Sequence, residues 1–454
     1  MNKLKYSRNH LTFEYLGVQL TRYAGDMFYM NKVVVIDALC GQGKTESVID
    51  MMQKDIYGKF LYVTPYLSEC HRVAGTSYDI EDDAKKPILD AEGNYLYDEH
   101  ARLIDFKFKH PDDSFGRKGK SLCSLLSEGE NVVSTHALFT ELGSNAIEAA
   151  KDYTLIIDES VNVYTQDSRH KTISDAMAKK IIYLDEDGIT LRFDRSMFGE
   201  ATEEHPDTAK GSLYESIAAQ CDLGQLLLIK KKAVVWEMSA DLLRTFKSVI
   251  ICTYMFEGSE MSVYLKKKGI NYSVQKLTGA KTAKDVAHLI EVLDDSKLNA
   301  VGATGKLSSS AFAHKDKKDV LCETMRRNLQ NVFTNKWKAK ANDRLWTCFV
   351  TNKKVIGGEK YLNQFLSYNY KATNDYMNVH HVAFLIDVHT NPNIVEASEI
   401  NSSLLTDQEL YAVSALIQFI FRSAVRKGEP IKLYLPSLRM RELLERWKNG
   451  EFDE

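Results

Sequence analysis

The sequence has few of the features that would set it apart from ordinary globular proteins. It contains 7 prolines and 7 cysteines in 454 residues, and no two cysteines form a C-x-x-C pair. Proline-rich linkers and the common zinc-binding patterns are therefore excluded. No apolar run reaches the roughly 18 residues that a membrane-spanning helix needs. Residues 1–17 are polar and lack the apolar segment of a secretion signal. The cysteines are scattered along the sequence and odd in number, which predicts that they stay reduced in a cytoplasmic protein.

An excess of charge of either sign is also missing. The chain has 59 Lys+Arg against 62 Asp+Glu, a formal charge of -3. A protein that binds nucleic acid over its whole surface is strongly basic, so any basic site here must be local. At 454 residues, the chain is long enough for about two or three domains.

Short apolar runs alternate with longer amphipathic stretches, which predicts an α/β fold with mostly parallel strands. Each run is bounded by polar or turn residues, as expected for strands that are covered on both faces. The predicted strands are Lys32–Asp37, Phe60–Val63, Asn131–Ser134, Thr154–Asp158, Ala233–Trp236, Val249–Cys252, Val382–Asp387 and Ile431–Tyr434.

Three stretches depart from this alternation. Residues 76–130 and 160–232 are rich in polar and turn residues and are predicted to be insertions. Residues 315–360 are basic, with twelve Lys/Arg against five Asp/Glu. This basic stretch is a candidate local site for a polyanion.

The strongest local pattern is ALCGQGKT, residues 38–45, which follows the apolar run of the first predicted strand and precedes a helix-like segment. A strand, a glycine loop and a helix start form the setting of a phosphate-binding loop. Its expected nucleotide-binding residues are Gly41, Gln42, Gly43, Lys44 and Thr45. The glycines let backbone N–H groups face phosphate oxygens, Lys44 would reach the β- and γ-phosphates of ATP, and Thr45 would supply a hydroxyl to Mg²⁺.

The strand Thr154–Asp158 ends in two carboxylates, Asp158 and Glu159. Ligands of parallel α/β sheets bind beyond the carboxyl ends of strands. Asp158 is then placed to hold Mg²⁺, and Glu159 to orient or deprotonate an attacking water. An ordinary apolar strand followed by a polar loop would give the same sequence pattern. The phosphate loop upstream is what favours interpreting the acidic pair as part of a nucleotide site.

The order of these motifs resembles that of superfamily 2 helicases and translocases, the DExD/H-type group. The resemblance covers about residues 32 to 430. It implies two tandem RecA-like P-loop domains with parallel sheets, ATP bound between them, and hydrolysis coupled to movement on nucleic acid. We place domain 1 at 1–270 and domain 2 at 271–454, with Tyr272–Leu277 as the first strand of domain 2. The strings TYMFEGS, ATNDY and FIFRSAVR are also similar to helicase-like proteins of phages and prophages, which would place the chain in a host cytoplasm.

Several further segments resemble motifs of that group. LYVTPY, residues 61–66, looks like motif Ia and assigns Thr64 and Pro65 to the nucleic-acid backbone. VIICTYM, residues 249–255, looks like motif III, with Ser239-Ala240 as a rival placement. Residues 365–375 resemble motif V, which assigns nucleic-acid contact near the cleft to Thr373 and Asn374.

QFIFRSAVR, residues 418–426, resembles motif VI, although Phe421 replaces the usual glycine and the second arginine falls one residue late. On a helix, Gln418, Arg422 and Arg426 would share one face and point toward a γ-phosphate. Arginine suits this task because its planar fork binds phosphate oxygens and keeps its charge. An amphipathic helix with two exposed arginines is the alternative.

The basic stretch is the candidate nucleic-acid surface. Lys336, Lys338 and Lys340 would contact phosphates, and Trp337 and Trp346 would stack on bases. A solvated helix whose tryptophans face the core explains the same residues equally well.

Taken together, the residues predict an ATP- and Mg²⁺-dependent helicase or translocase whose partner is nucleic acid, with DNA favoured. A replication or recombination protein is a further candidate partner. Two alternatives remain open: a phage-type DNA packaging ATPase, and a nucleotide-switched DNA-binding or loading module that does not unwind DNA.

Overall fold

The computed structural model describes residues 32–55, 57–74, 108–112, 118–197, 212–303, 307–313, 315–370, 375–400 and 402–453, and the two strands at 11–15 and 18–22. The strands are β1 (Leu11–Tyr15), β2 (Val18–Arg22), β3 (Val33–Asp37), β4 (Phe60–Thr64), β5 (Val132–Thr135), β6 (Thr154–Asp158), β7 (Tyr164–Gln166), β8 (Ile182–Leu184), β9 (Leu191–Phe193), β10 (Leu226–Ile229), β11 (Ala233–Glu237), β12 (Ser248–Thr253), β13 (Tyr272–Gln275), β14 (Ile290–Val292), β15 (Arg344–Thr347), β16 (His381–Phe384) and β17 (Ile431–Tyr434).

The helices surround these strands in the alternation that the sequence predicts. They are α1 (Lys44–Lys54), α2 (Leu67–Ala74), α3 (Lys118–Ser127), α4 (His136–Thr140), α5 (Ser144–Ala149), α6 (His170–Ala178), α7 (Ser212–Asp222), α8 (Asp241–Arg244), α9 (Glu260–Lys267), α10 (Ala283–Val286), α11 (Ser296–Asn299), α12 (Ser309–Ala313), α13 (Lys315–Gln330), α14 (Lys353–Tyr361), α15 (Pro392–Glu399), α16 (Gln408–Ile420) and α17 (Leu438–Lys448). Within the described residues, no helix is long and apolar enough to cross a membrane.

Two parallel sheets in tandem confirm the predicted α/β fold class. The first has six strands in the order β13-β3-β12-β6-β4-β5, and the second has four in the order β14-β17-β16-β15. All the strand pairs within these two sheets are parallel. Each of the predicted apolar runs forms a strand, with bounds that differ by at most three residues.

The first sheet is buried on both faces because apolar side chains alternate between two cores. Val35, Leu61 and Ile157 belong to one cluster, whereas Tyr62 and Ile156 belong to the other. Successive side chains of a strand point to opposite faces, so a continuous apolar run serves both cores at once.

One strand prediction is wrong in its placement. The strand at residues 272–275, expected to begin the second domain, pairs in parallel with β3 and forms the edge of the first sheet. The second sheet begins only at β14. The order of the helicase-like motifs located the strand, but its partner depends on the chain returning to the edge of the first sheet.

The predicted insertion at 160–232 is a folded unit with its own core. Together with β11, it forms the antiparallel sheet β10-β11-β7 and the hairpin β8-β9. Ile173, Leu191, Ile217 and Val234 are among its buried residues. The run at 233–237, expected to lie in a parallel sheet, therefore belongs to this antiparallel unit. For the other predicted insertion, at 76–130, residues 76–107 and 113–117 lie outside the described residues.

The two sheets are joined by direct contacts as well as by the chain. Leu39 and Met255, which follow strands of the first sheet, pack into the core of the second. The Nδ2 of Asn391 donates to the Gln166 Oε1 of the insertion at 2.7 Å. Lys230 of the insertion also pairs with Glu396 of α15 at 2.8 Å. The insertion therefore contacts both halves of the molecule.

Candidate functional site

The loop after β3 has the backbone that a phosphate-binding loop requires. Gly41 and Gly43 have φ values of 77° and 80°, in the left-handed region that glycine adopts without strain. Helix α1 begins at Lys44, with Gly43 as its N-cap. The Lys44 ammonium donates to the carbonyl of Leu39 at 3.1 Å and to that of Ala38. Loop, lysine and helix start therefore lie together, and a helix N-terminus favours anions.

Asp158 lies beside this loop, at the carboxyl end of β6. The Thr45 hydroxyl donates to both of its carboxylate oxygens at 3.2 Å, and the Tyr62 hydroxyl donates to Oδ2 at 2.8 Å. Burial raises the pKa of Asp158 to about 7, and the carboxylates of Glu69 and Glu159 act in the same direction. A buried carboxylate of this kind gains from a nearby cation. The two residues that were each predicted to hold Mg²⁺ are therefore neighbours in the structure.

Glu159 occupies an unusual position in the backbone. Its φ is 60°, rare for a residue with a side chain, and its N–H donates to the carbonyl of Cys252 on the neighbouring strand β12 at 2.9 Å. Its Oε2 is buried and has no hydrogen-bond partner among the residues that the structure describes. Such an atom usually signals a role, because an unpaired buried oxygen costs free energy.

The strand β12 lies between the loop strand β3 and the acidic strand β6. Its last residue, Thr253, accepts a hydrogen bond from Ser160 at 3.0 Å. Ser239 and Ala240, the rival motif III placement, follow the insertion strand β11 instead. Of the two placements, the structure brings Thr253 next to the acidic pair.

Two arginines from the second half of the chain reach this site. A methyl group added to Gly41 would lie 3.2 Å from Arg426 Cγ, so the Arg426 side chain rests on the phosphate loop. Arg422 is 5% exposed. Burial lowers its pKa, and Glu159 is the largest opposing charge. Arg426 therefore lies against the phosphate loop, and Arg422 lies within electrostatic range of Glu159 and Cys40.

The local structure that carries these arginines differs from the prediction. Helix α16 ends at Ile420, and residues 424–427 form a separate 3₁₀ turn. Gln418 stays on the helix, where its Nε2 donates to Ser414 at 3.1 Å. The three residues do not share one helical face, because the chain leaves the helix before Arg422.

Sequence reasoning missed Tyr62 and His136. The Tyr62 side chain is fully buried and anchors Asp158, while His136 Nε2 lies 3.0 Å from the Asp158 carbonyl. The one available signal was the hydroxyl of Tyr62 inside the otherwise apolar run FLYV. A buried tyrosine usually finds a hydrogen-bond partner.

The motif Ia residues lie at the carboxyl end of β4. Thr64 is fully buried, and within the described part of the chain its hydroxyl has no hydrogen-bond partner. The expected direct contact of this side chain with a nucleic-acid backbone is therefore not available in this arrangement. Pro65 is half-buried. Thr373 and Asn374, the motif V residues, lie outside the described residues.

The basic stretch does not form the predicted aromatic track. Trp346 is fully buried and donates to the Tyr361 carbonyl at 2.6 Å, so its expected stacking on bases is wrong. Trp337 is half-buried against Phe333 and His381.

The lysines of that stretch differ in their surroundings. Lys336 pairs with Asp295 at 2.6 Å, whereas Lys338 and Lys340 are exposed. Asp295 follows the carboxyl end of β14, so the Lys336 ammonium lies beside that end of the second sheet.

The residues present suit ATP and Mg²⁺. Mg²⁺ usually takes one or two protein oxygens and fills its remaining positions with phosphate and water. Thr45 and Asp158 provide such a pair. No cluster of three or more His, Cys, Asp or Glu residues suited to a metal occurs among the residues that the structure describes.

Comparison with known proteins gives relatives of two kinds. Residues 284–448 match a family described as the YonV C-terminal Rossmann-like domain. The SPbeta prophage-derived uncharacterized protein YonV of Bacillus subtilis (strain 168) is 28% identical over 441 residues, which cover 93% of this chain and 100% of that protein. The matched range begins after β13, in agreement with the membership of β13 in the first sheet.

Two solved structures of the DUF1998 helicase MrfA are distantly similar. The structure bound to DNA is 8% identical with a TM-score of 0.31, and it covers 89% of this chain and 46% of the helicase. The structure bound to DNA and AMPPNP is 10% identical with a TM-score of 0.34, and it covers 93% and 48%. This chain spans about half the length of those helicase chains.

Proposed function

We propose that this protein is an ATP-dependent nucleic-acid helicase or translocase that hydrolyses ATP where its two parallel sheets meet. The observation that supports this most directly is the composite site. One half of the chain contributes the phosphate loop, Thr45 and the Asp158–Glu159 pair, and the other half contributes Arg422 and Arg426. A site divided in this way responds to the relative position of the two halves.

Each residue has a distinct task in the proposed reaction. Lys44 and the loop amides would hold the β- and γ-phosphates, and Thr45 and Asp158 would hold Mg²⁺. Glu159 would orient a water and accept its proton as the water attacks. Arg422 would stabilise negative charge that develops at the γ-phosphate. Bound ATP would supply the phosphoryl group whose transfer to water releases the free energy for movement.

Hydrolysis would depend on closure of the cleft, because the arginines and the loop lie on different halves of the chain. Alternate closing and opening would then change the grip of each half on a nucleic-acid strand. DNA remains the favoured polymer.

The test is steady-state ATP hydrolysis by the full chain, alone and with single-stranded DNA, duplex DNA or RNA. Lys44→Ala should reduce turnover by about a hundredfold or more, because a preorganised phosphate contact is lost. The matched control is Lys171→Ala, which removes an exposed lysine of the insertion. Normal turnover in Lys44→Ala would contradict the proposed ATP site.

Further outcomes separate the alternatives. Stimulation by one polymer identifies the track, and a strand-displacement assay then separates unwinding from translocation. Hydrolysis without stimulation by any polymer would favour a packaging motor driven by a protein partner. ATP-dependent DNA binding without turnover would favour a nucleotide-switched loader.

A further inference from the structure

Two tyrosines make a ring contact between the two halves of the molecule. The rings of Tyr66 and Tyr370 are stacked, with centroids 4.7 Å apart and planes inclined by 26°. Tyr66 comes two residues after the end of β4, and Tyr370 lies between β15 and β16. The contact therefore joins the first sheet to the second.

The position of this pair relative to the proposed ATP site is defined by its neighbours. Strand β4 lies next to the acidic strand β6, on the side away from the phosphate-loop strand β3. The Tyr66 phenol also lies within electrostatic range of the Arg422 guanidinium. The tyrosine pair therefore lies near Arg422, on the side of the acidic strand β6 that is remote from the phosphate-loop strand β3.

The backbone around Tyr370 is hydrogen-bonded, and its side chain remains partly open to solvent. Its N–H donates to the Ser367 carbonyl at 3.0 Å, and the Arg422 guanidinium donates to the Tyr368 carbonyl at 3.3 Å. Although the Tyr66 ring stacks on it, Tyr370 is 42% exposed. A large ring that is stacked against a partner and still accessible is a suitable platform for another flat ring.

We propose that Tyr370, backed by Tyr66, is a stacking site for a base of single-stranded nucleic acid. This inference rests on the proposed function, because a base platform serves a protein that grips a strand. Every base has a π face, so an aromatic platform binds bases with little sequence preference, as a translocating protein requires. Fixing the ring in advance lowers the entropic cost of binding.

The same geometry links the platform to the ATP site. Arg422 lies within electrostatic range of Glu159 and also donates to the Tyr368 carbonyl, in the turn that precedes Tyr370. A shift of Arg422 on nucleotide binding would therefore move the turn that carries Tyr370. The affinity for single-stranded nucleic acid and the state of the bound nucleotide would then be coupled through Arg422.

The experiment measures binding of a fluorescein-labelled oligothymidylate to the full chain by anisotropy, without nucleotide, over a series of salt concentrations. Tyr370→Ala should weaken binding by about tenfold or more, the loss expected for one stacked base. Tyr370→Phe keeps the ring and should bind like the unmodified protein. Stacking releases no counterions, so Tyr370→Ala should leave the slope of log Kd against log salt unchanged.

The matched control is Tyr57→Ala. Tyr57 is 90% exposed and lies just before the amino end of β4, whereas Tyr66 follows its carboxyl end. It should bind like the unmodified protein. Thermal melting of each variant shows whether the fold is kept.

Equal affinity of Tyr370→Ala and the unmodified chain would overturn the stacking site and leave the ATPase proposal unaffected. A change confined to the salt slope would also overturn it, because that result indicates a phosphate contact. Absence of oligonucleotide binding by the unmodified chain would overturn it as well, and ATP hydrolysis, measured separately, would still decide the proposed function.

Discussion

At the scale of the residue, the carboxylate of Asp158 is positioned by hydroxyl groups from two different elements. Thr45 belongs to the first turn of α1 and Tyr62 to the neighbouring strand β4. The Tyr62 contact is the shorter of the two, at 2.8 Å against 3.2 Å. Tyr62 is therefore a positioning residue for the proposed metal ligand, and partners of this kind affect metal affinity.

Tyr62→Phe tests that role with a minimal change. We expect the Mg²⁺ concentration for half-maximal ATP hydrolysis to rise by about tenfold, because the carboxylate loses an orienting hydrogen bond. Turnover at saturating Mg²⁺ should change much less. The control is Tyr153→Phe, since the hydroxyl of Tyr153 donates to two backbone carbonyls remote from the site. An unchanged Mg²⁺ dependence in Tyr62→Phe would remove the positioning role.

At the scale of the element, β15 shows why a tryptophan in a basic stretch need not bind bases. Trp346 lies on a strand of the second sheet, contacts Phe365 edge-on and packs against Gly357. A methyl group on Gly357 would lie 2.5 Å from the Trp346 ring, so the glycine makes room for it. The side chain holds the sheet to α14 and does not face solvent.

Trp346→Ala should therefore act on stability. We expect the free energy of unfolding in urea to fall by about 3–5 kcal/mol, the usual cost of deleting a buried large aromatic side chain. Trp337→Ala, at a half-buried position, should cost clearly less. A fully stable Trp346→Ala that had lost affinity for nucleic acid would contradict the structural role.

At the scale of the whole molecule, residues from both halves of the chain meet at the candidate site. Arg422 is buried at this junction, with Glu159 as its principal counter-charge and the Tyr368 carbonyl as a hydrogen-bond partner. An arginine supplied from a second domain raises phosphoryl-transfer rates by large factors in other nucleotide hydrolases.

Arg422→Ala should reduce the turnover of ATP by about a hundredfold or more, while ATP affinity changes much less. The two quantities are measured by steady-state kinetics and by binding of a fluorescent ATP analogue. Arg326→Ala removes an arginine that pairs with Glu323 on the surface of α13 and serves as the control. Arg422→Lys keeps a buried charge and separates loss of folding from loss of catalysis. An unchanged rate in Arg422→Ala would exclude its role at the γ-phosphate.

The sequence by itself determined the features that are local or periodic. Apolar runs specified β3, β4, β5, β6 and β12 of the first sheet and β16 and β17 of the second, because burial on both faces leaves that pattern in a short segment. The strand, glycine loop and lysine specified the phosphate loop, since φ values above zero require Gly41 and Gly43. Asp158 and Glu159 were also predictable from a local pattern, since Asp158 ends a buried strand and Glu159 directly follows it.

Only the tertiary structure decided which distant residues meet. The attachment of β13 to the first sheet, the Tyr62–Asp158 hydrogen bond and the burial of Trp346 all depend on partners far away in the sequence. Arg422 was predicted from a resemblance and a helical spacing that the chain does not adopt. The structure places it beyond the end of α16, within electrostatic range of Glu159. Local sequence patterns indicate whether a segment is buried, whereas the packing of the two sheets determines which residues bury it.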